Sequence, residues 1–143
     1  MIGLDTSFLV QLEIPELPAH SKARELLHQQ VRGAGETIAL TSPVIAEFLH
    51  VVTDPKRFQK PFSMSDALRV ASAWWYAREV QQVFENSAST SLFFDWMQRH
   101  QLGRKRILDT HWAAVLWSAG VRKILTSNPR DFEIFGGFEI IAP

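Results

Sequence analysis

Five residues stand where their side chains could meet and do chemistry: Asp5, Glu47, Asp109, Asn128 and Asp131. Asp5 directly follows the apolar triplet Ile2–Leu4, a short strand candidate. Glu47 lies in the second turn of the helix expected after the strand candidate Thr37–Thr41. Asp109 falls in the first turn of the helix expected from Leu108 to Gly120. Asn128 and Asp131 follow the strand candidate Lys123–Leu125. Open parallel sheets bind ligands beyond the carboxyl ends of their strands. These positions therefore predict one shared edge, reached only through tertiary folding. Clustered carboxylates raise one another's pKa unless a cation sits among them. The chain has no cysteine, so the donors are oxygens and the matching ion is hard, Mg²⁺ or Mn²⁺. Such ions polarise phosphoryl oxygens and activate water, which makes phosphodiester hydrolysis the natural chemistry.

Each residue also has a plainer reading. Asp5, Thr6 or Ser7 would serve as a helix N-cap. Asp109 would complement a helix dipole. Glu47, beside the apolar positions Val44 and Val51, would be a solvated flank. Asn128-Pro129 is an ordinary turn signal and Asp131 an ordinary surface acid. That all are plain at matched strand ends is a harder coincidence than one shared site.

The elements that must position them alternate along the chain. Thr6-Ser7 begins a short helix that Pro15 and Pro18 stop. Ser21 to Arg32 reads as a surface helix. Ser42-Pro43 opens a helix with Ser as N-cap, and Ile45, Phe48, Leu49 and Val52 form its apolar stripe. Lys56 to Pro61 is a basic loop. Ser65-Asp66 starts a further helix, Val80–Glu85 is a strand candidate, and Ser89 to Gln101 is helical. Phe138–Ile141 is the last strand. Strands alternating with helices predict an α/β layer fold with a mainly parallel sheet.

Length and composition bound the rest. The 143 residues suit one domain. Lys plus Arg and Asp plus Glu are 15 each, which excludes a polybasic binder held by bulk charge but not a local basic patch. Lys56, Arg57 and Lys60, and the run Arg104-Lys105-Arg106, are candidates for such a patch against phosphates, with plain solvated loops as the alternative reading. The lack of cysteine removes disulfides and catalytic thiols and fits a cytoplasmic location. The start Met1-Ile2-Gly3-Leu4-Asp5 does not read as a signal peptide, and no apolar run reaches membrane-helix length. Of the five Trp, Trp74, Trp75 and Trp96 lie on apolar helix patterns and read as packing residues rather than base-stacking ones. A dinucleotide binder would need a Gly-rich turn after the first strand, which LDTSFLV lacks. A haloacid-dehalogenase-like phosphatase would need a second Asp where Ser7 stands.

The segments LDTSFLV (4–10), SPVIAEFLHVVTDPKRF (42–58), ILDTHWAAVLW (107–117) and TSNPRDF (126–132) together resemble a PIN-domain ribonuclease, and more narrowly the VapC toxins of toxin–antitoxin pairs. The resemblance spans nearly the whole chain and implies a single PIN-like domain over 1–143. It implies a flavodoxin-like three-layer α/β sandwich, a Mg²⁺-dependent endoribonuclease acting on RNA such as tRNA or rRNA, and products with 5′-phosphate and 3′-hydroxyl ends. It further implies a homodimer neutralised by a cognate antitoxin. In it, Asp5, Glu47 and Asp109 take the places of the first three metal-binding acids, and Thr6 and Ser7 are polar supports. Asn128 takes the fourth place, where an amide departs from the usual carboxylate, and Asp131 matches a further acid. That departure keeps open a second expectation, a degenerate PIN domain that binds RNA or protein without cutting.

Overall fold

The computed structural model describes all 143 residues, Met1–Pro143. Five short strands, β1 (Ile2–Leu4), β2 (Ile38–Thr41), β3 (Val80–Val83), β4 (Lys123–Leu125) and β5 (Glu139–Ile141), form one sheet. Their order is β3-β2-β1-β4-β5, and every pairing is parallel. The helices are α1 (Thr6–Glu13), α2 (His20–His28), α3 (Ser42–Val52), α4 (Met64–Trp75), α5 (Ser87–Arg99), α6 (Ile107–Ser118) and the single turn α7 (Arg130–Glu133). Parallel strands need crossovers, and here helices supply them and flank the sheet. α1 packs on α2 and α3, α3 on α4, and α5 on α6. No helix is long and apolar enough to cross a membrane.

The central strands are mostly apolar because both sheet faces are covered. β1 and β2 are buried at every position. Their side chains join Phe8, Leu9, Phe48, Val52, Leu116 and Phe132 in one continuous core. Gly3 is required there: a Cβ on it would stand 2.4 Å from Leu116 Cδ1 of α6. The chain moves outward from β1 to β2 and β3 on one side, and from β4 to β5 on the other. The switch of direction lies between β1 and β4, which is where such sheets open a crevice.

Several helix starts differ from the expected positions. Thr41, not Ser42, is the N-cap of α3, because Thr41 is still paired with Val83 in the sheet. The apolar stripe of α3 is correspondingly rotated: Val44, Phe48, Val51 and Val52 are buried, while Ile45 and Leu49 are half-buried flanks. α4 begins at Met64, capped by Ser63, whose hydroxyl accepts from the Asp66 N–H at 3.1 Å. α5 begins two residues before Ser89, because Asn86 and Ser89 satisfy each other's backbone N–H groups in a capping box. α2 ends at His28 and runs into a wider π-type turn through Gly33.

Candidate active site

The crevice at the carboxyl ends of β1 and β4 is built by backbone register before any side chain enters. Leu4 pairs with Leu125, and the Asp5 N–H continues that ladder by donating to the Leu125 carbonyl at 3.0 Å. Asp5 and Thr126 therefore leave the sheet side by side. Asp5 occupies the N-cap position of α1, but its carboxylate makes no cap bond. Instead its Oδ2 accepts from the Ser7 hydroxyl at 2.6 Å and from the Thr126 hydroxyl at 2.7 Å. Each hydroxyl is aimed by a backbone group. The Ser127 N–H donates to Ser7 Oγ at 2.9 Å, and the Asn128 N–H donates to Thr126 Oγ1 at 3.0 Å. With those lone pairs occupied, both hydroxyl protons point at Asp5. The capping reading thus fails for Asp5, and Ser7 is a positioning residue.

Glu47 is on the exposed side of α3 and is tied to α1, where the buried Thr6 hydroxyl donates to its Oε2 at 3.0 Å. Asp109 lies in the first turn of α6. Asp131 lies in α7 and pairs with Arg106, whose guanidinium stands 3.6 Å from Oδ1 and also donates to the Asp131 carbonyl. Arg106 is therefore turned onto an acid of the site rather than out into solvent. Asn128 is exposed on the segment after β4, and its structured contact is its backbone N–H.

The electrostatics show that these acids feel one another. Burial pushes the Asp5 carboxyl above its ordinary range and the Glu47 charge adds to the rise, while the Ser7 and Thr126 hydroxyls pull it back. Asp109 is pushed up to about 6, first by burial, then by the charges of Asp131, Asp5 and Glu47, with Arg106 opposing. Asp5, Glu47, Asp109 and Asp131 thus form one field of negative charge with one cation in it. As placed, no three acidic or imidazole side chains converge closely enough to chelate a single ion. The donor chemistry nonetheless fits a hard divalent cation. Mg²⁺ usually keeps several waters and takes only one or two carboxylates directly, so a wide-set cluster suits it.

The remaining candidates frame the site. Arg57 belongs to the loop after α3, next to the cavity that Glu47 lines, and Lys56 and Lys60 are exposed on the same loop. Arg104 and Lys105 are exposed on the turn leading into α6. Trp96 is buried, stacked on Phe135 at 4.7 Å, and Trp74 is anchored by its indole N–H to Glu13 at 2.7 Å; both pack. Trp75 packs edge-on against Phe84. One contributor lies outside the acid pattern: Thr126 opens the segment TSNPRDF, but its hydrogen bond to Asp5 follows only from the β1–β4 register.

A PIN domain family model matches residues 2–136. Comparison with curated protein sequences finds no match. Solved structures resemble the chain along its full length. The sarcin-ricin-loop-cleaving toxin VapC20 of Mycobacterium tuberculosis superposes with a TM-score of 0.73 at 19% identity, covering 100% of both chains. VapBC2 of Rickettsia felis, solved on a promoter DNA fragment, gives 0.65 at 18% identity, covering 100% of this chain and 99% of that one. VapBC-1 of Haemophilus influenzae gives 0.66 at 16%, covering 99% and 98%.

Proposed function

The chain belongs to the PIN-domain family, and from that premise we propose that it is a metal-dependent endoribonuclease of the VapC type, a toxin neutralised by a cognate antitoxin. One observation carries the reading: the carboxyl end of a parallel sheet gathers Asp5, Glu47, Asp109 and Asp131 into a field that holds Asp5 and Asp109 above their ordinary range. A site that crowds negative charge in this way is suited to a cation. Asp5, Glu47 and Asp109 would hold Mg²⁺, or Mn²⁺, with Asp131 or Asn128 as the fourth group. The ion would supply Lewis acidity at a phosphodiester and a better water nucleophile. The chain's own residues do the positioning. Ser7 and Thr126 fix the Asp5 carboxylate, and Thr6 fixes Glu47. Arg106 keeps Asp131 in place while moderating its charge. Lys56, Arg57, Lys60, Arg104 and Lys105 would meet RNA phosphates on either side of the acids.

The partner reading follows from the neighbours, which include toxin–antitoxin complexes from Klebsiella pneumoniae, Rickettsia felis, Haemophilus influenzae and Salmonella typhimurium. A groove of about 850 Å³ between α1, α2 and α4, lined by Leu12, Leu27, Val70 and Trp74, offers such a partner an apolar seat apart from the acids. The reading includes a homodimer, in keeping with exposed large apolar residues such as Tyr76, Phe84 and Phe94, and a cytoplasmic location.

The test is cleavage of total tRNA and rRNA by the purified chain, with Mg²⁺ or Mn²⁺ and then with chelator. The parent should cut only with the ion. Asp5→Asn and Asp109→Asn should not cut, while their circular dichroism stays unchanged. Adding the cognate antitoxin should stop the parent, and light scattering should give the mass of a dimer. RNA binding without cleavage under either ion would favour the non-catalytic reading instead.

A further inference from the structure

The acid field has a cavity beside it. Thr6, Ser7 and Glu47 form part of its lining, and the space measures about 400 Å³. That is the small end of the range for small-molecule sites, enough for one nucleoside and too little for a folded segment. Val10, Val51 and Phe58 give it apolar walls, and Gln11 and Arg57 bring polar groups to it.

Its shape is set in advance by hydrogen bonds. The Glu16 carboxylate accepts the backbone N–H groups of Gln59 and Lys60, both at 3.2 Å, and Asp54 accepts from Lys56 N–H at 2.8 Å. The loop that carries Arg57 and Phe58 is thereby pinned at both ends, with Phe58 buried beneath it. Gln11 differs from every other polar residue of the lining. Its side-chain Oε1 is shut off from solvent and accepts no hydrogen bond. Its backbone carbonyl is meanwhile fixed by His20 Nδ1 at 2.9 Å. A buried acceptor without a donor is costly, and native proteins keep few of them. Gln11 also lines the cavity, and turning its amide toward that space would bring the acceptor to a ligand's donor.

We propose that this cavity is a subsite for one unstacked nucleobase of the RNA, adjacent to the phosphodiester at the acids, with Gln11 reading the edge of the base. The inference rests on the ribonuclease reading and extends it to specificity. A carboxamide offers an acceptor and a donor side by side, the pattern that pairs bidentately with adenine N6 and N7. The apolar walls suit the faces of a base. Recognition of RNA by sequence works mainly on single-stranded, splayed-out bases, and enzymes acting on nucleic acid often lift a nucleotide from its stack. Arg57, tethered at 3.6 Å to Asp54 yet largely exposed, is free to reach the flanking phosphate.

The test compares adenosine 5′-monophosphate with ribose 5-phosphate as probes of the intact chain in Mg²⁺, by calorimetric titration. The nucleotide should bind at least tenfold more tightly. Gln11→Leu should remove most of that difference without moving ribose 5-phosphate affinity, while raising the melting temperature because the unpartnered acceptor is gone; Gln11→Glu, which loses the amide donor, should remove it too. Equal affinity for the two probes, failure of both to bind, or a ratio untouched by both variants would overturn the subsite. Mapping the ends of RNA cut by the parent separates this failure from the other. Cleavage with no base preference at the cut sinks the subsite and leaves the ribonuclease. Base-dependent binding without cleavage does the reverse.

Discussion

At the scale of single residues, Asp109 expresses the charge conflict of the site most directly. Its carboxyl is pushed up to about 6 in the fold, against about 3.9 in an unfolded chain. The folded state therefore holds this proton more tightly than the unfolded state does. Its contribution to stability is full below the unfolded value and is lost as pH rises through about 6. Without divalent ions, the denaturant midpoint of the parent should fall between pH 4 and 7 relative to Asp109→Asn. The ceiling is about 3 kcal/mol, reduced by solvent screening at a half-open position. Identical pH profiles for parent and variant would contradict the assignment. Thr126 poses a different test. It is fully buried and donates to Asp5. Thr126→Val keeps the shape and removes the hydroxyl, so it should cost about 1 kcal/mol in chemical denaturation. It should also slow cleavage, because Asp5 loses one of its two guides. Between the rivals for the fourth position, Asp131 is favoured. It is the first of the neighbouring charges to act on Asp109, whereas Asn128 is exposed. Asp131→Ala should raise the half-activating Mg²⁺ concentration more than Asn128→Ala, in cleavage rates measured against Mg²⁺. The opposite ranking would make the amide the ligand.

At the scale of elements, the site depends on how closely β1 and α6 approach, since one carries Asp5 and the other Asp109. Gly3 sets that distance. Gly3→Ala drives a methyl to 2.4 Å from Leu116 Cδ1, and because Leu116 is itself fully buried, it has little room to turn. The variant should lose about 1–3 kcal/mol, the usual cost of overpacking. It should also lose activity, as α6 is displaced relative to Asp5. Adding Leu116→Ala vacates the space the new methyl needs. The double variant should thus be more stable than the two single losses predict, a coupling read directly from denaturation midpoints. Additive losses would mean that the contact does not set the spacing. The same elements show what was legible beforehand. β1, β2 and β4 stand out as compact apolar runs because both sheet faces are covered, and the acids at their ends are legible with them. β3 and β5 lie at the sheet edges and are more exposed, so the sequence marks their ends less sharply: Val80–Val83 is shorter than the expected Val80–Glu85, and Glu139–Ile141 starts one residue after Phe138. Helix starts shifted where tertiary pairing outweighed local capping, as when the ladder to β3 kept Thr41 extended and made it the cap in place of Ser42. Thr126 and Arg106 were illegible in their roles for one reason. Each acts on a residue far away in the chain, through a register or an ion pair that no local pattern encodes.

At the scale of the whole molecule, a net charge of zero conceals an uneven distribution. Near the amino ends of the strands the charges pair off. Glu36 binds the terminal ammonium at 2.8 Å and Lys123 at 3.0 Å, and both contacts hold its carboxyl below the ordinary range. At the carboxyl ends Arg106 stands against Asp131, and the other cations lie around the four acids rather than within them. Lys56, Arg57 and Lys60 stand on one loop, and Arg104 and Lys105 on another, all exposed. On the ribonuclease reading, an RNA drawn to this end would meet cations in two short segments, not a continuous basic face. Binding should therefore depend on salt only moderately. Each phosphate neutralised on a single strand contributes about −0.7 to the slope of log affinity against log salt, so five cations allow a slope no steeper than about −3.5. Replacing Arg104 and Lys105 together by Ala should make the slope shallower by about 1.4. Because neither touches the acids, cleavage at saturating RNA should be unchanged. The measurement is RNA affinity for the Asp109→Asn background, which does not consume the substrate, titrated across a series of salt concentrations with and without the two replacements. An unchanged slope would place the RNA path away from the turn that leads into α6, and leave the loop after α3 as its only basic flank.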